Sequence, residues 1–267
     1  MKRVHVLEFE DLAWFPAWLR TLMTNLIVVL NRVMGVTEVL ADLVSRVLKE
    51  QQLDRVVDLG SGSGGVMPDV IARVRADPQT TGASLILTDL YPNADALGNF
   101  NRGDSPHIVY WREPVNAKDF ESVPAGLKTM INSFHHMRPQ QARAILDSAR
   151  RNRQPLLIYE MAENRIPFVV WCLALPISLT LVAAMALLLT PMVRPLTVRQ
   201  LVFTYVIPVV PLFFAWDGQA SMQRLYTFDD LDELLRGMSS TGYRWEKGVA
   251  KTQTGAKRGT YLLGVPC

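Results

Sequence analysis

Arg55-Val56-Val57-Asp58-Leu59 runs directly into Gly60-Ser61-Gly62-Ser63-Gly64-Gly65, and Pro68 stands just beyond. The first five residues are a short, mostly apolar run, which reads as a buried strand. The glycines end it, and without side chains they let the backbone approach a ligand closely. Pro68 suits the first turn of a helix, where its missing N–H costs nothing. Strand, glycine loop and helix in this order begin a parallel sheet, in which ligands bind beyond the carboxyl ends of the strands.

The pattern continues outward. Leu85-Ile86-Leu87-Thr88 reads as a strand ending at Asp89, and His107–Trp111, Thr129–Asn132 and Leu156–Tyr159 as three more. Helices fit over 93–101 and 138–151. Before the glycine loop, residues 17–35 carry a broad apolar face at helical spacing, and a second helix covers about 37–50. Near the end, Thr227 to Ser240 reads as a helix with an acidic start at Asp229, Asp230, Asp232 and Glu233, as the helix dipole prefers. Tyr243–Val249 and Thr260–Val265 are strands close enough to form an antiparallel hairpin. The fold class predicted is α/β: a Rossmann-like, mostly parallel seven-stranded sheet with helices on both faces and an antiparallel C-terminal strand. Residues 1–50 form an N-terminal helical segment and 51–267 the main domain.

The loop satisfies two patterns. Gly60, Gly62 and Gly65 fit the dinucleotide spacing G-x-G-x-x-G, which leaves an NAD(P)-dependent oxidoreductase open as an alternative. Asp58-Leu59-Gly60-x-Gly62-x-Gly64 resembles motif I of the class I methyltransferases, a family that binds S-adenosylmethionine on this fold. The resemblance covers about residues 50–160 and 217–267. It implies that Asp58 sits near the methionine end of the cofactor. A carboxylate at Asp89, ending the second strand, can accept two hydrogen bonds from a ribose diol. Asn116-Ala117 falls where the family often has Asp and a small residue beside the adenine; here Asn replaces the Asp, and its amide oxygen can still accept. The cofactor residues implied are Asp58, Gly60, Ser61, Gly62, Gly64, Asp89, Leu90, Asn116, Ala117 and Ser133.

Methyl transfer needs the acceptor in line with the methyl group, and a base only when the acceptor holds a tightly bound proton. The fourth strand leads into Asn132-Ser133-Phe134-His135-His136-Met137, a loop that in the family borders the transferring methyl. His135 and His136 are the catalytic candidates, with backbone bonding or packing over the cofactor as the plainer role. Glu160, Asp217, Ser221, Arg224 and Tyr226 are candidate substrate residues. The last four recur near helical spacing, so they either line the substrate side or tie an insertion to the domain. Asp11-x-x-Trp14-Phe15-Pro16 reads as a lid or as a staple for the first helix.

That insertion spans about 166–216. No charged residue occurs from Ile166 to Val193, and a second uncharged run covers Gln200 to Trp216. Eighteen or more such residues make a membrane candidate. Strands of one domain flank the insertion, so it crosses an even number of times or not at all. Pro167, Pro176 and Pro191 weaken a straight span, and a hairpin would carry Arg194 and Arg199 to the far side against the positive-inside tendency. A re-entrant or monotopic element is expected ahead of a crossing hairpin or a buried cap or dimer interface, with the apolar face of 17–35 joining the same surface. A small, apolar or lipid-like acceptor at the membrane, with the catalytic domain on the cytoplasmic side, follows as an expectation. A membrane protein that binds the cofactor without chemistry is the alternative outside enzymology.

Composition excludes little else. Charged residues are 20% and the formal charge is +3, so the chain is globular and does not call for a nucleic-acid partner. Cys172 and Cys267 suggest no disulfide framework, and their spacing with His5, His107, His135 and His136 matches no metal pattern, so no metal is expected. Glu8, Glu10 and Asp11 stand where a secretory signal would be apolar, so none is expected.

Overall fold

The computed structural model describes residues 1–102, 105–238 and 242–267. Seven strands form one sheet: β1 (Arg55–Leu59), β2 (Ser84–Thr88), β3 (Ile108–Tyr110), β4 (Leu127–Ile131), β5 (Leu156–Glu160), β6 (Tyr243–Lys251) and β7 (Lys257–Pro266). Their order is β3-β2-β1-β4-β5-β7-β6. The first five strands are parallel; β7 runs antiparallel to β5, and β6 antiparallel to β7.

Alternation along the strands builds a core on each face. Val56, Leu85, Leu87, Leu157 and Tyr159 face the helices α2 (Val36–Glu50), α3 (Met67–Val74) and α4 (Ala94–Phe100). Val57, Leu59, Leu156 and Ile158 face α5 (Pro139–Arg151) and α9 (Phe228–Leu235). The strands are buried on both sides, which is why they read as continuous apolar runs rather than as alternating ones.

One helix boundary differs from the sequence expectation. Helix α9 ends at Leu235, because Gly237 takes the left-handed conformation (φ 77°) that commonly stops a helix. Ser239 and Ser240, expected to end it, lie outside the described residues. At its start, Thr227 is the cap: its hydroxyl accepts from the Asp230 N–H at 3.2 Å, and the Asp230 carboxylate accepts from the Thr227 N–H at 3.0 Å.

The insertion is helical. Helix α6 (Phe168–Leu189) is followed by α7 (Val198–Leu201), which widens into a π-turn over Val202–Val206, and by α8 (Val209–Arg224). The segment Phe168–Met192 is long and apolar enough to cross a membrane. Pro167 caps α6 and Pro191 lies in the turn after it, so only Pro176 stands inside, and the helix continues through it. Leu173, Ile177, Leu181 and Leu188, at helical spacing, are 65–78% exposed. The apolar face of α1 (Ala17–Val33) does not join this outward surface. Leu19, Leu22, Met23, Leu26 and Val29 are buried against Ala186, Leu189, Val193, Val210 and Phe214 of the insertion. Each apolar side chain covered in this way stabilises the docking by about 1.5–3 kcal/mol.

Candidate active site

The glycine loop is fixed from beneath. Asp58 ends β1 buried; its carboxylate accepts from the hydroxyls of Thr129 (2.6 Å) and Ser61 (2.7 Å). The N–H groups of Gly60 and Ser61 donate to the Thr88 carbonyl at 3.0 and 2.9 Å. Burial pushes the Asp58 carboxyl up to about 7, although both hydroxyls work against it. Asp58 and Ser61 therefore shape the loop from below, with their polar atoms committed to each other.

Above that base, Gly60, Gly62, Gly64 and Gly65 all have positive φ, which only glycine adopts freely. Gly64 lies under the Phe100 ring, while the space over Gly62 is open. Asp89 stands beside the loop. One carboxylate oxygen accepts from the Gly62 N–H and the other from the Tyr91 N–H, both at 2.8 Å. The Val115 N–H donates to the Asp89 carbonyl at 2.8 Å, which brings Asn116 and Ala117 alongside. Asn116 is exposed, its side-chain oxygen accepting from the Lys118 N–H at 3.1 Å, and Ala117 packs on the second core. Leu90 is 44% exposed next to Asp89. The Ser133 hydroxyl lies near Gly60, buried and without a hydrogen-bond partner. The expected cofactor residues thus gather at the carboxyl ends of β1, β2 and β4.

The histidines sit at the next strand ends. Asn132 turns the chain with φ 52°, a conformation asparagine tolerates, and its side-chain oxygen accepts from the Met161 N–H at 2.8 Å. A short 3-10 turn over Phe134–His136 follows. Glu160, the last residue of β5, grips His135 twice: it accepts from the backbone N–H at 3.0 Å and from ring Nδ1 at 2.9 Å. His136 is held from the other side, its Nδ1 lying 2.8 Å from Asp11 and 3.2 Å from Glu8.

Glu8 and Asp11 arrive on an N-terminal strap; the sequence offered Asp11 as part of a lid or a staple and did not single out Glu8 for the site. Phe9 and Glu10 donate their N–H groups to the Asp217 carboxylate at 2.8 and 3.0 Å. The Trp216 indole donates to the Leu7 carbonyl at 2.9 Å, and Arg3 to the His135 carbonyl at 2.8 Å. Arg224, fully buried, lies 3.0 Å from Glu8 and 2.7 Å from Asp11. Ser221 donates to the Asp217 carbonyl at 2.8 Å, and Tyr226 to the Met137 carbonyl at 2.7 Å. Asp217, Arg224 and Tyr226 therefore fasten the strap and the histidine turn to the domain, whereas the Ser221 hydroxyl bonds within its own helix. Phe15 is buried at the start of α1, so that part of the motif is a staple, whereas Asp11 reaches the histidines. The available signal was an acid, Glu8, set between Leu7 and Phe9.

Burial alone would lower His136, but the charges of Glu8 and Asp11 outweigh it and raise the ring to about 9. Burial works to raise Asp11 as well; the hydrogen bond and charge of His136, with Arg224, hold it well below the usual carboxylate range. A pKa raised on folding stabilises below the unfolded value and ceases to do so as pH rises through the folded value. Between about pH 6.5 and 9 the protein should therefore lose stability relative to His136→Gln. Thermal melts of the two proteins across that range check this; parallel curves would contradict the pairing.

No family model and no curated protein matches this chain in sequence. Solved structures do match. An O-methyltransferase family protein from Burkholderia thailandensis is 16% identical, with 87% of this chain and 57% of that one covered at a TM-score of 0.45. An O-methyltransferase from neocarzinostatin biosynthesis, solved with S-adenosylmethionine and 2-hydroxy-5-methyl naphthoic acid, is 14% identical (85% and 56% covered, 0.44). Human N-acetylserotonin methyltransferase, solved with the same cofactor, is 11% identical (88% and 54% covered, 0.46). This chain spans little more than half the length of each. What decides the fold is the sheet itself, five parallel strands with the reversed β7 placed between β5 and β6 and a glycine loop after β1. The chain has the class I methyltransferase fold. The loop and Asp89 lie at the carboxyl ends of β1 and β2, and His135 and Glu160 at those of the next two strands, β4 and β5.

Proposed function

We propose that the chain is an S-adenosylmethionine-dependent methyltransferase acting on a small, apolar or lipid-like acceptor at a membrane surface. The observation that carries this reading is the open glycine loop flanked by Asp89 and by the unpartnered Ser133 hydroxyl, with the oriented His135–Glu160 pair on the same sheet edge. S-adenosylmethionine, when bound, supplies an electrophilic methyl group on its sulfonium.

The chain's residues would hold it as follows. Each Asp89 oxygen accepts one backbone N–H and keeps a lone pair for a ribose hydroxyl. The Asn116 amide offers an acceptor and donors beside the adenine. Gly60 and Gly62 leave room for close approach, and the Ser133 hydroxyl is free to pair with a polar group there. Glu160, as an acceptor, takes the Nδ1 proton of His135, so Nε2 is the nitrogen left to meet the acceptor or its proton. His136, raised to about 9, stays protonated at neutral pH and contributes charge and position rather than a base.

The insertion supports the membrane setting. A 22-residue helix is about 33 Å long, close to the hydrocarbon thickness, yet its far end at Ala186 and Leu189 packs on α1. Helix α1 is in turn tied to the domain by Thr21–Asn93 (3.3 Å) and by Arg32–Asp69 (2.9 Å). A crossing helix would carry that end away from the domain. This arrangement favours an insertion lying along one leaflet, its outward stripe in lipid. The cytoplasmic face is the side proposed for the catalytic domain.

Purified protein supplied with methyl-labelled cofactor and native membrane lipid extract should move label into the organic phase and should float with liposomes. His135→Gln should lower turnover by about 10²–10⁴-fold. Label passing only to polar, water-soluble acceptors, with no flotation, would contradict the reading.

A further inference from the structure

Glu8, His135 and His136 come from distant parts of the chain, yet each points a ligand-type atom at the others, all within 4.8 Å. Glu8 is 1% exposed, and its Oε1 has no hydrogen-bond partner. That oxygen lies 4.0 Å from Nε2 of His135. Nδ1 of His135 faces the Glu160 carboxylate at 2.9 Å, and a carboxylate only accepts, so the ring proton sits on Nδ1. Nε2 therefore faces the Glu8 oxygen that has no hydrogen-bond partner among the described residues. A buried polar atom left without a partner is costly, and the space before this one is bordered by two imidazole rings.

We propose that Glu8 Oε1, His135 Nε2 and a ring nitrogen of His136 bind a divalent first-row metal ion, of the Zn²⁺ or Mn²⁺ kind. Two imidazoles and one carboxylate, with the ion displacing the proton that His136 otherwise holds, form a mixed nitrogen–oxygen donor set that suits such ions better than Mg²⁺ or Ca²⁺, which prefer all-oxygen shells. Bonds of about 2.0–2.2 Å require the ligand atoms to close by roughly an ångström, which side-chain rotation supplies. The supporting contacts are already in place. Glu160 fixes the tautomer and orientation of His135, as carboxylates behind metal-bound histidines do. Arg224 takes the other Glu8 oxygen at 3.0 Å, the one that also lies 3.2 Å from His136, and leaves Oε1 facing His135. The carboxylates of Glu8, Asp11 and Glu160 all lie against the two rings, so the cluster tolerates added positive charge beside Arg224. His136, 23% exposed, provides the entry side. With the ion bound, His135 Nε2 serves as a ligand in place of taking the acceptor's proton, and three protein ligands leave a position for an oxygen of the acceptor, whose proton such an ion makes easier to remove.

Sequence spacing does not show this site, because one ligand precedes the two histidines by more than a hundred residues. The binding of the ion stands apart from the methyl-transfer reading, while the role given to it rests on that reading. In the test, full-length protein is stripped with EDTA, reloaded with Zn²⁺, Mn²⁺ or Co²⁺, desalted and measured by elemental analysis, with the visible spectrum of the Co²⁺ form recorded. About one ion per chain is expected, with d–d bands of a nitrogen–oxygen site. His135→Asn should lower occupancy at least tenfold, and Glu160→Gln should weaken binding about 10–100-fold. Circular dichroism shows that each variant is folded, and His107→Asn, remote from the cluster, should load like the wild type. A folded wild type holding less than a tenth of an ion, or a His135→Asn variant that loads fully, would overturn the proposal. Either failure would leave cofactor binding by the glycine loop untouched.

Discussion

Replacing Arg224 with Leu is expected to destabilise the protein by about 3–5 kcal/mol. Arg224 is fully buried and lies 3.0 Å from Glu8 and 2.7 Å from Asp11, and Glu8 is itself 1% exposed. Removing the guanidinium leaves two carboxylates, one of them fully buried, to share His136 as their cation, and losing one partner is the costly half of breaking such a pair. Taking away both ends should cost much less, so Arg224→Leu combined with Glu8→Leu should recover most of the loss. Urea unfolding followed by circular dichroism measures both. A loss below about 1 kcal/mol for the single variant would mean that the strap is not latched as described.

Gly64→Val should be nearly as damaging, and at the binding edge rather than at the latch. A Cβ at Gly64 would lie 2.6 Å from the Phe100 ring, and the backbone there has φ +108°, which a β-branched residue does not adopt freely. Backbone strain of about 1–3 kcal/mol adds to overpacking of about 1–3 kcal/mol. The loop should shift, and cofactor affinity should fall with it. Gly62→Ala is the informative contrast. Nothing lies within 4 Å of a Cβ there, so only the left-handed conformation (φ +54°) is strained, at roughly 1–2 kcal/mol. Phe100→Ala in the Gly64→Val background should relieve the clash and leave the strain. Chemical denaturation of the four proteins separates the two contributions, and equal losses at Gly62 and Gly64 would contradict the packing described.

Which parts of this molecule could be read in the sequence follows from the range of the forces involved. Strand β1 and its loop were legible because the signals are local: valines, an acid, then glycines, which the structure finds at positive φ. The reversed pair β6–β7 was legible because its strands are close in sequence. The end of α9 was misread, since Gly237 outweighs the polar residues beyond it. The prolines of the insertion were read as weakening a straight helix, yet two of the three fall at or beyond its ends and only Pro176 is enclosed. The apolar face of α1 was legible as a stripe, but periodicity does not say what covers it, and the insertion does so. His135 was visible as a histidine after β4. That Glu160 orients it follows from parallel pairing of β4 with β5, while the arrival of Glu8 and Asp11 depends on a strap that no local pattern marks.

The central claim is that the Gly60–Gly65 loop and Asp89 bind S-adenosylmethionine. Titration calorimetry with that cofactor and its demethylated product, on detergent-solubilised protein with Asp89→Ala alongside, tests it most directly. Micromolar binding of both ligands, lost in the variant, is the result predicted. A folded wild type that binds neither and binds NAD or NADP instead would contradict the account and assign the loop to a dinucleotide.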